Sequence, residues 1–341
     1  MVVQNFPIWK QNLLEILYSM SIALEKLFKF PVKITNNFIQ EVHDAEAALD
    51  VNQGQTQNIF SNKWKEVEKL QEVEKLYEFQ YDWFLKLYGF ESEEKLAGFL
   101  KNKKVIIDTG CGLGYKAAWF AKLAPESIII GIDISDAVFL AAKNFAPLEN
   151  LFFLHGDIAN SAFKDNSVDF VVCDQVIMHT EVPEKTFEHL ANLTKTEGEF
   201  ACYVYRKKAL PRELIDEYFR SKTHNIPDEK MWEFSAQLTE LGKRLSELNV
   251  SFESPDIPLL GIKGGEYDIQ RFIYWNFLKC FWKEDWGFTL SKNTNYDWYA
   301  PSNAKRFSKE EFTTMIKENN LRIQYFHEEE ACYSGRFSKI N

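Results

Sequence analysis

Residues 105–114 read Val-Ile-Ile-Asp-Thr-Gly-Cys-Gly-Leu-Gly. The apolar, β-branched start of this stretch predicts a buried strand, and its three closely spaced glycines predict a sharp turn. Apolar residues at helical spacing follow at 115–123. Because the first N–H groups of a helix are unpaired, such a turn can hold a polar ligand at the carboxyl end of the strand. The stretch therefore predicts a strand, a ligand-binding turn and a helix in succession.

Strand-like and helix-like segments alternate along the chain around this turn. Short apolar runs lie at residues 104–108, 127–133, 151–155, 168–173 and 199–205, and helical patterns lie at 115–123, 136–145 and 184–194. This alternation predicts a parallel sheet with helices on both faces. Residues 306–341 begin with a capping box at Ser308 and Glu311, followed by two strand-like stretches. We therefore expect an α/β, Rossmann-like fold with a seven-stranded, mostly parallel sheet and an antiparallel C-terminal hairpin.

The segments outside this region predict two additions to the sheet. Residues 8–28 carry a helical stripe of leucines, residues 50–62 are polar and predict a loop, and residues 64–88 predict one long amphipathic helix. Residues 206–305 combine helical stretches with an aromatic block. We expect an N-terminal helical cap over residues 1–95, a ligand-binding core over 96–205, an α-rich insertion over 206–305 and a C-terminal completion of the core over 306–341.

Composition and charge limit the kinds of molecule that the chain is expected to bind. The formal net charge is −10, whereas nucleic-acid binding domains usually present a basic face, so we expect no nucleic-acid partner. The sequence has no run of about 18 apolar residues, so we expect no membrane span. The N-terminal residues lack the pattern of a secretory signal. The five cysteines are widely spaced. They predict neither a metal site nor a disulfide framework, and they favour a reducing, cytoplasmic location.

The glycine turn alone does not identify its ligand. Gly112, Gly114 and Ala117 match the dinucleotide fingerprint, and Asp133 follows about twenty residues later, where a ribose-binding acid is expected. An acid at this position suits any ligand with a ribose diol. On this evidence an NAD(P)-dependent oxidoreductase remains one candidate.

Further motifs follow the turn in a fixed order. They are D-x-G-C-G-x-G at residues 108–114, G-I-D-I-S at 131–135, H-G-D-I at 155–158, S-V-D-F-V-V-C-D-Q-V-I-M-H-T at 167–180 and T-E-G-E-F at 196–200. In this order and spacing, the set resembles the class I S-adenosylmethionine (SAM)-dependent methyltransferases over about residues 100–205. The ending expected at 306–341 is similar to that family's antiparallel hairpin, which ordinary dinucleotide folds lack.

The resemblance implies a set of SAM-binding residues. In the family's pattern, Asp108 orders the turn or meets the ligand's amino group, Asp133 holds the ribose, and Asp157 accepts from the adenine amino group. The full set of implied cofactor positions is Asp108, Gly110, Cys111, Gly112, Gly114, Asp133, Ile134, Asp157, Ile158, Asp174 and Gln175.

On the substrate side, His179 is the candidate general base, because the unperturbed pKa of histidine lies close to working pH. A histidine that only caps a loop or packs beneath the substrate is the alternative. Tyr205 and Arg206 end the fifth predicted strand, and Trp275 and Trp298 belong to a stretch, 271–300, in which eleven of thirty residues are aromatic. These aromatic residues form either a small core for the insertion or a lid over the substrate.

The sequence as a whole favours a SAM-dependent methyltransferase that acts on a small-molecule or glycan-like metabolite. The cofactor is then SAM and its product S-adenosylhomocysteine. Two other classes stay open, namely a non-catalytic SAM-binding partner subunit and the oxidoreductase. A homodimer is also left open by the sequence.

Overall fold

The computed structural model describes residues 23–42, 50–68, 73–223 and 226–340. Within them, a ten-stranded sheet forms the centre and a two-stranded sheet lies in the insertion. The main sheet contains β1 (Val32–Thr35), β2 (Phe38–Glu41), β3 (Val105–Thr109), β4 (Ile128–Asp133), β5 (Leu151–His155), β6 (Val168–Cys173), β7 (Thr194–Arg206), β10 (Arg306–Phe307), β11 (Leu321–Glu328) and β12 (Cys332–Lys339), and the small sheet contains β8 (Ser251–Ser254) and β9 (Gly265–Asp268).

Eleven α-helices accompany the sheets in the described ranges. They are α1 (Val51–Glu68), α2 (Val73–Tyr88), α3 (Glu93–Leu100), α4 (Tyr115–Leu123), α5 (Ala137–Asn144), α6 (Pro183–Leu193), α7 (Leu210–Thr223), α8 (Asp228–Glu247), α9 (Ile269–Asn276), α10 (Gly287–Tyr299) and α11 (Lys309–Glu318). None of these described helices is both long enough and apolar enough to cross a bilayer.

The main sheet has the strand order β1-β2-β5-β4-β3-β6-β7-β12-β11, with β10 beside the end of β7. Neighbouring strands from β2 to β7 run parallel, and β12 and β11 close the sheet as an antiparallel pair. The predicted Rossmann-like, mostly parallel sheet is thus confirmed. Because β3 has β4 on one side and β6 on the other, the strand order reverses at the glycine turn, where ligands bind in such sheets.

Three strands, β1, β2 and β10, bring the sheet from the expected seven to ten. The β1–β2 hairpin turns at Asn36, whose φ is 55°, a backbone conformation that asparagine tolerates better than most residues. The Asn37 carbonyl accepts a hydrogen bond from the Phe153 N–H at 2.8 Å, which fixes the hairpin beside β5. Residues 32–35 alternate apolar and polar residues, and an Asn-Asn pair separates them from the apolar Phe38 and Ile39. This is a hairpin signal that the sequence analysis does not use.

The two faces of the sheet form separate hydrophobic clusters. On β3, Val105 and Ile107 belong to one cluster and Ile106 to the other, because successive side chains of a strand point to opposite faces. All three are buried. Helices cover both clusters, so the core strands carry apolar residues at nearly every position.

The N-terminal region differs from its prediction. Residues 50–62 are not a loop, because α1 spans Val51–Glu68. The described parts of the predicted helix at 64–88 are helical, in α1 and in α2, and residues 69–72 lie outside the described residues. In α1 the polar residues Gln53, Thr56 and Ser61 are buried together with the apolar Ile59 and Val67, so no continuous apolar stripe marks the inward face. The leucine stripe at 8–28 falls mostly outside the described residues.

The insertion contributes α7 to α10. Ile59 of α1 packs in one cluster with Met231 and Leu238 of α8 and with Tyr296 and Tyr299 of α10. The aromatic block therefore supplies a small core, as one of the two interpretations predicted. At the end of the chain, the capping box is present at Ser308 and Glu311. The division into four segments stays a prediction.

Candidate functional site

A cavity of about 200 Å³ lies at the carboxyl ends of β3, β4 and β6. Its walls are the glycine turn after β3, the residues that follow β4, β5 and β6, and the inward face of α1. It therefore occupies the position where the strand order reverses, which is the ligand-binding position of this architecture. We call it the inner cavity.

The glycine turn is closely covered by its neighbours. Gly110, Gly112 and Gly114 have φ values of 74°, 52° and 78°, which side chains with a Cβ atom rarely adopt. A Cβ atom on Gly112 would lie 2.8 Å from the Trp64 ring of α1, and one on Gly110 would collide with the Val176 side chain. Any other residue at these two positions would therefore displace the walls of the inner cavity.

Asp133 ends β4 beside this turn. Its Oδ2 accepts a hydrogen bond from the Gly112 N–H at 2.6 Å, and its Oδ1 accepts from the Ser135 N–H at 2.8 Å and the Ser135 hydroxyl at 2.6 Å. Burial raises the pKa of Asp133, and these hydrogen bonds oppose the shift. Because a carboxylate oxygen can accept two hydrogen bonds, Oδ2 retains capacity for one donor from the inner cavity.

Asp108, on β3, is 1% exposed. Its Oδ2 has no hydrogen-bond partner in the part of the chain that the structure describes. Burial raises the pKa of Asp108 to about 6, although the nearby Lys116 lowers it. Lys116 itself forms an ion pair with Asp174, whose other oxygen accepts from the Tyr88 hydroxyl at 2.8 Å. A buried carboxylate oxygen without a donor is costly, so Asp108 favours a ligand that brings one.

Two other wall oxygens share this property. Among the described residues, Thr56 Oγ1 of α1 and Asp297 Oδ1 of α10 are buried without a hydrogen-bond partner, while Asp297 Oδ2 accepts from Lys63 Nζ at 2.8 Å. Buried polar atoms in folded proteins are nearly always paired. Three unpaired oxygens around one cavity therefore indicate a polar ligand.

His179 lies in a short 3-10 turn after β6 and is 5% exposed. Its Nδ1 lies 2.7 Å from the Asn303 carbonyl oxygen, which can only accept, so Nδ1 carries the proton. The unprotonated Nε2 is 3.4 Å from the Tyr205 hydroxyl. Burial lowers the pKa of His179 to about 3. The imidazole is therefore neutral at physiological pH and is a weak base.

A second cavity, of about 580 Å³, adjoins the first. The two share the wall residues Lys63, Trp64, Gln80, Gln175, Tyr205 and Asp297. Gln175, two residues after the end of β6, has a φ of 64°, a strained conformation that often marks functional positions. We call this second cavity the outer chamber. The aromatic block of the insertion forms much of its wall, so that block also faces a cavity.

Most of the predicted site residues lie together. Those that line the inner cavity are Asp108, Gly110, Cys111, Asp133, Ile134, Asp157, Ile158, Asp174, Gln175, His179 and Tyr205, and Tyr205, Trp275 and Trp298 line the outer chamber. Gly112 and Gly114 shape the turn without lining a cavity.

Arg206 does not have the predicted position. Adjacent residues of a strand point to opposite faces, so Arg206 points away from Tyr205 and lines neither cavity. Its guanidinium forms an ion pair with Glu328 at 3.2 Å and donates to the Glu329 carbonyl oxygen at 3.3 Å. It is therefore not a residue of this site.

The sequence interpretation missed the polar face of α1 and Lys116. Gln53, Thr56 and Lys63 line the inner cavity, but the inward face of the first half of α1 is polar and has no apolar stripe to reveal it. Lys116 left a signal, because it lies in the first turn of α4, where the helix dipole disfavours a cation. Such a lysine implies nearby acids, here Asp108 and Asp174.

Comparison with known proteins identifies the family. A family model described as a methyltransferase domain matches residues 100–272, just over half of the chain. The chain belongs to the class I SAM-dependent methyltransferase family. The family uses SAM as its cofactor, and nothing in the comparisons supports the oxidoreductase hypothesis.

Individual relatives are distant. The chain is 30% identical to an uncharacterized methyltransferase of Schizosaccharomyces pombe over 30% of this chain and 41% of the relative. It is 27% identical to a sterol 24-C-methyltransferase of Aspergillus fumigatus over 30% of this chain and 28% of the relative. The chain thus spans less than half the length of these curated relatives.

Among solved structures, a magnesium protoporphyrin IX methyltransferase from Synechocystis with bound S-adenosylhomocysteine is 13% identical, covering 84% of this chain and 97% of that one with a TM-score of 0.43. A likeness this distant carries no argument about the substrate.

Proposed function

We propose that this chain transfers a methyl group from SAM to a small-molecule acceptor. The observation that carries the proposal is the unpaired, buried Asp108 oxygen at the glycine turn, in a cavity that adjoins a larger second one. Transfer between two molecules needs a site for each, held side by side. The inner cavity provides a polar site for the donor, and the outer chamber provides a site for the acceptor.

The residues of the inner cavity fit SAM. Asp108 would accept a hydrogen bond from the amino group of the methionine moiety. This bond would give the unpaired Oδ2 of Asp108 a donor. Asp133 would use the remaining capacity of Oδ2 for the ribose hydroxyls. Asp157 and Ile158 line the cavity beyond β5 and would hold the adenine, as the family resemblance implies.

SAM supplies an activated methyl group on a sulfonium. The chain's own contribution is then mainly position and the exclusion of water. Gln175 and Tyr205 border both cavities and would orient the acceptor towards the donor. His179 would hold the Tyr205 hydroxyl through Nε2, and its low pKa favours this positioning role over full proton removal.

The outer chamber supports an acceptor with a flat or apolar body. Trp275 and Trp298 lie on its wall, and aromatic side chains stack on sugar rings, aromatic rings and acyl chains alike. The insertion would act as the substrate lid, and a glycan-like metabolite is among the acceptors that it suits.

Calorimetric titration with S-adenosylhomocysteine, followed by its detection as a product with a panel of small-molecule acceptors, tests this function. Asp133→Ala should weaken S-adenosylhomocysteine binding about 10- to 100-fold, because it leaves buried hydroxyls unpaired. Asp136→Ala is the matched control, since Asp136 is an exposed acid just after β4. Absence of binding by the wild-type chain would contradict the proposal. Binding without methyl transfer to any acceptor would favour the non-catalytic subunit instead.

A further inference from the structure

The outer chamber has the opposite charge to the molecule as a whole. Seven lysine and arginine side chains line it, against three carboxylates, although the chain has a formal net charge of −10. Ten aromatic side chains share the same walls. A cavity this basic in an acidic protein concentrates anions, because its low-dielectric walls focus the local field.

Ion pairing inside the protein neutralises fewer than half of these cations. Three of the seven have carboxylate partners, namely Lys63 with Asp297 at 2.8 Å, Lys86 with Glu329 at 3.1 Å and Arg212 with Asp216 at 2.7 Å. The other four, Lys208, Arg271, Lys279 and Lys283, have no carboxylate within ion-pair distance among the described residues. Four basic side chains of the chamber therefore lack a carboxylate partner, and burial lowers the pKa of two of them, Lys208 and Lys279.

Lys279 is the most enclosed of these four and is 6% exposed. Its ammonium lies 4.5 Å from the centre of the Trp298 ring, and within the described residues it has neither a hydrogen bond nor an ion pair to a side chain or carbonyl. By contrast, Lys208 donates to the carbonyl oxygens of Arg206, Glu330 and Ala331. Lys279 is thus a buried cation that faces the chamber without an acceptor.

A buried network holds Lys279 in place. Asp216 of α7 is fully buried and accepts from Arg212 Nε, from Trp298 Nε1 at 2.8 Å and from the Tyr299 hydroxyl at 2.9 Å. The backbone N–H of Lys279 donates to the Tyr299 hydroxyl oxygen at 3.2 Å. The network therefore fixes both the backbone of Lys279 and the ring beneath its ammonium. A site whose side chains are held this way is preorganised for a ligand.

We infer that the methyl acceptor carries an anionic group, a carboxylate or a phosphate, that binds Lys279 beside an apolar body stacked on the chamber's aromatic walls. This inference rests on the proposed function, because the outer chamber is the acceptor site only if the inner cavity holds the donor. An anionic acceptor supplies the hydrogen-bond acceptor that Lys279 lacks. It also explains why an acidic chain lines this chamber with four cationic side chains that lack a carboxylate partner.

Proton binding by Lys279 should make the affinity of the outer chamber for anions depend on pH. Burial, with Arg212 nearby, lowers the pKa of Lys279 to about 7, so the ammonium is present below that pH and is lost above it. The charged groups that act on it are Arg212, Asp216, Arg220, Asp297 and Lys208. Affinity for a carboxylate ligand should therefore fall as the pH rises through about 7. Lys279→Arg, which keeps its charge, should remove this fall.

The test uses three probes with one aromatic body: naphthoate, naphthyl phosphate and the neutral naphthamide. Each is titrated calorimetrically into the full chain at pH 6 to 9, with and without saturating S-adenosylhomocysteine. We expect one or both anions to bind at least about tenfold more tightly than the amide, since a charge-assisted hydrogen bond contributes about 1.5–3 kcal/mol. The anion that binds more tightly identifies the acceptor's group as carboxylate or phosphate.

Variants connect this preference to one side chain. Lys279→Met should abolish the preference for anions and should fold at least as stably as the wild type, because it removes a buried, uncompensated charge. Lys292→Met is the matched control, since the Lys292 ammonium also lies over a tryptophan ring, Trp232 at 5.0 Å, but outside the chamber. It should keep the preference.

Several results would overturn the inference. They are equal binding of amide and anions, an unchanged preference in Lys279→Met, or no anion binding by a chain that binds S-adenosylhomocysteine. The last result leaves the proposed function intact. Conversely, an anion preference that depends on Lys279 in a chain that does not bind S-adenosylhomocysteine would support an anion site while refuting the methyltransferase proposal.

Discussion

Asp108 lowers the stability of the ligand-free protein, because one oxygen of its buried carboxylate has no hydrogen-bond donor among the described residues. Burial raises the pKa of Asp108 in the folded chain to about 6, above its ordinary value of 3.8, so the folded chain holds a proton on Asp108 at pH values between these two. The contribution of Asp108 to stability is therefore greatest below about pH 4 and is lost as the pH rises through 6.

Replacing this acid separates stability from binding. Asp108→Asn should raise the free energy of unfolding at pH 7 by about 1–3 kcal/mol and should weaken S-adenosylhomocysteine binding about tenfold or more. Urea unfolding between pH 4 and 7 and calorimetry measure the two effects. Asp165→Asn, at an exposed acid, should change neither. A variant that is less stable at pH 7, or that binds normally, would contradict the role given to Asp108.

His179 provides a second prediction for a single residue. With a pKa of about 3, the imidazole stays neutral at every pH above about 5, so the rate should show no inflection from this group near its usual 6.5. His179→Ala should lower kcat about tenfold by releasing the Tyr205 hydroxyl and should leave the shape of the pH–rate profile unchanged. An inflection between pH 6 and 7 that disappears in the variant would identify His179 as the general base instead.

Helix α1 links the glycine turn to the insertion. Gln57 Nε2 donates to the Ile134 carbonyl oxygen at 2.7 Å on one side, and Gln55 Nε2 donates to the Ala300 carbonyl oxygen at 2.9 Å on the other. Trp64 covers Gly112. This helix therefore forms a wall of the inner cavity with polar contacts, whose net contribution to stability is modest because they replace hydrogen bonds to water.

A ligand in the inner cavity should therefore order α1. We expect S-adenosylhomocysteine to slow amide hydrogen exchange in residues 51–68 and in the glycine turn by up to about 100-fold at saturation, because local opening would release the ligand. Hydrogen-exchange mass spectrometry measures this, and α11, which lines neither cavity, is the internal control. Equal exchange in α1 with and without the ligand would show that it is not a wall of the binding site.

The same helix marks the limit of what the sequence predicted. The core strands and the glycine turn were predictable because buried parallel strands and tight turns need particular residues, such as Val105, Ile107 and Gly110. The role of α1 was not, because its inward residues Gln53 and Thr56 are polar and complement a polar cavity. Likewise, no local pattern brings Lys279 over Trp298, since the packing of α7 against the aromatic block decides that contact.

In the whole molecule, the cavities join segments that lie far apart in the sequence. Asp108 from the core, Thr56 from α1 and Asp297 from the insertion meet at one cavity. Ile59 of α1 packs in the hydrophobic cluster of the insertion, and Tyr205 at the end of β7 packs against it. No segment completes either its packing or its site alone. The four segments predicted with boundaries at residues 95, 205 and 305 should therefore not fold as independent units.

This shared packing predicts a single unfolding transition. Differential scanning calorimetry should give one peak, and S-adenosylhomocysteine at about 100 times its Kd should add roughly 2.7 kcal/mol, which moves the midpoint of a chain of this size by about 4 °C. Lys63→Met breaks the ion pair to Asp297 that joins α1 to α10. It should lower the midpoint without splitting the peak, because the cluster around Ile59 still joins the same elements. Two peaks, of which the ligand moves only one, would mean instead that the insertion folds on its own and meets the core only as a lid.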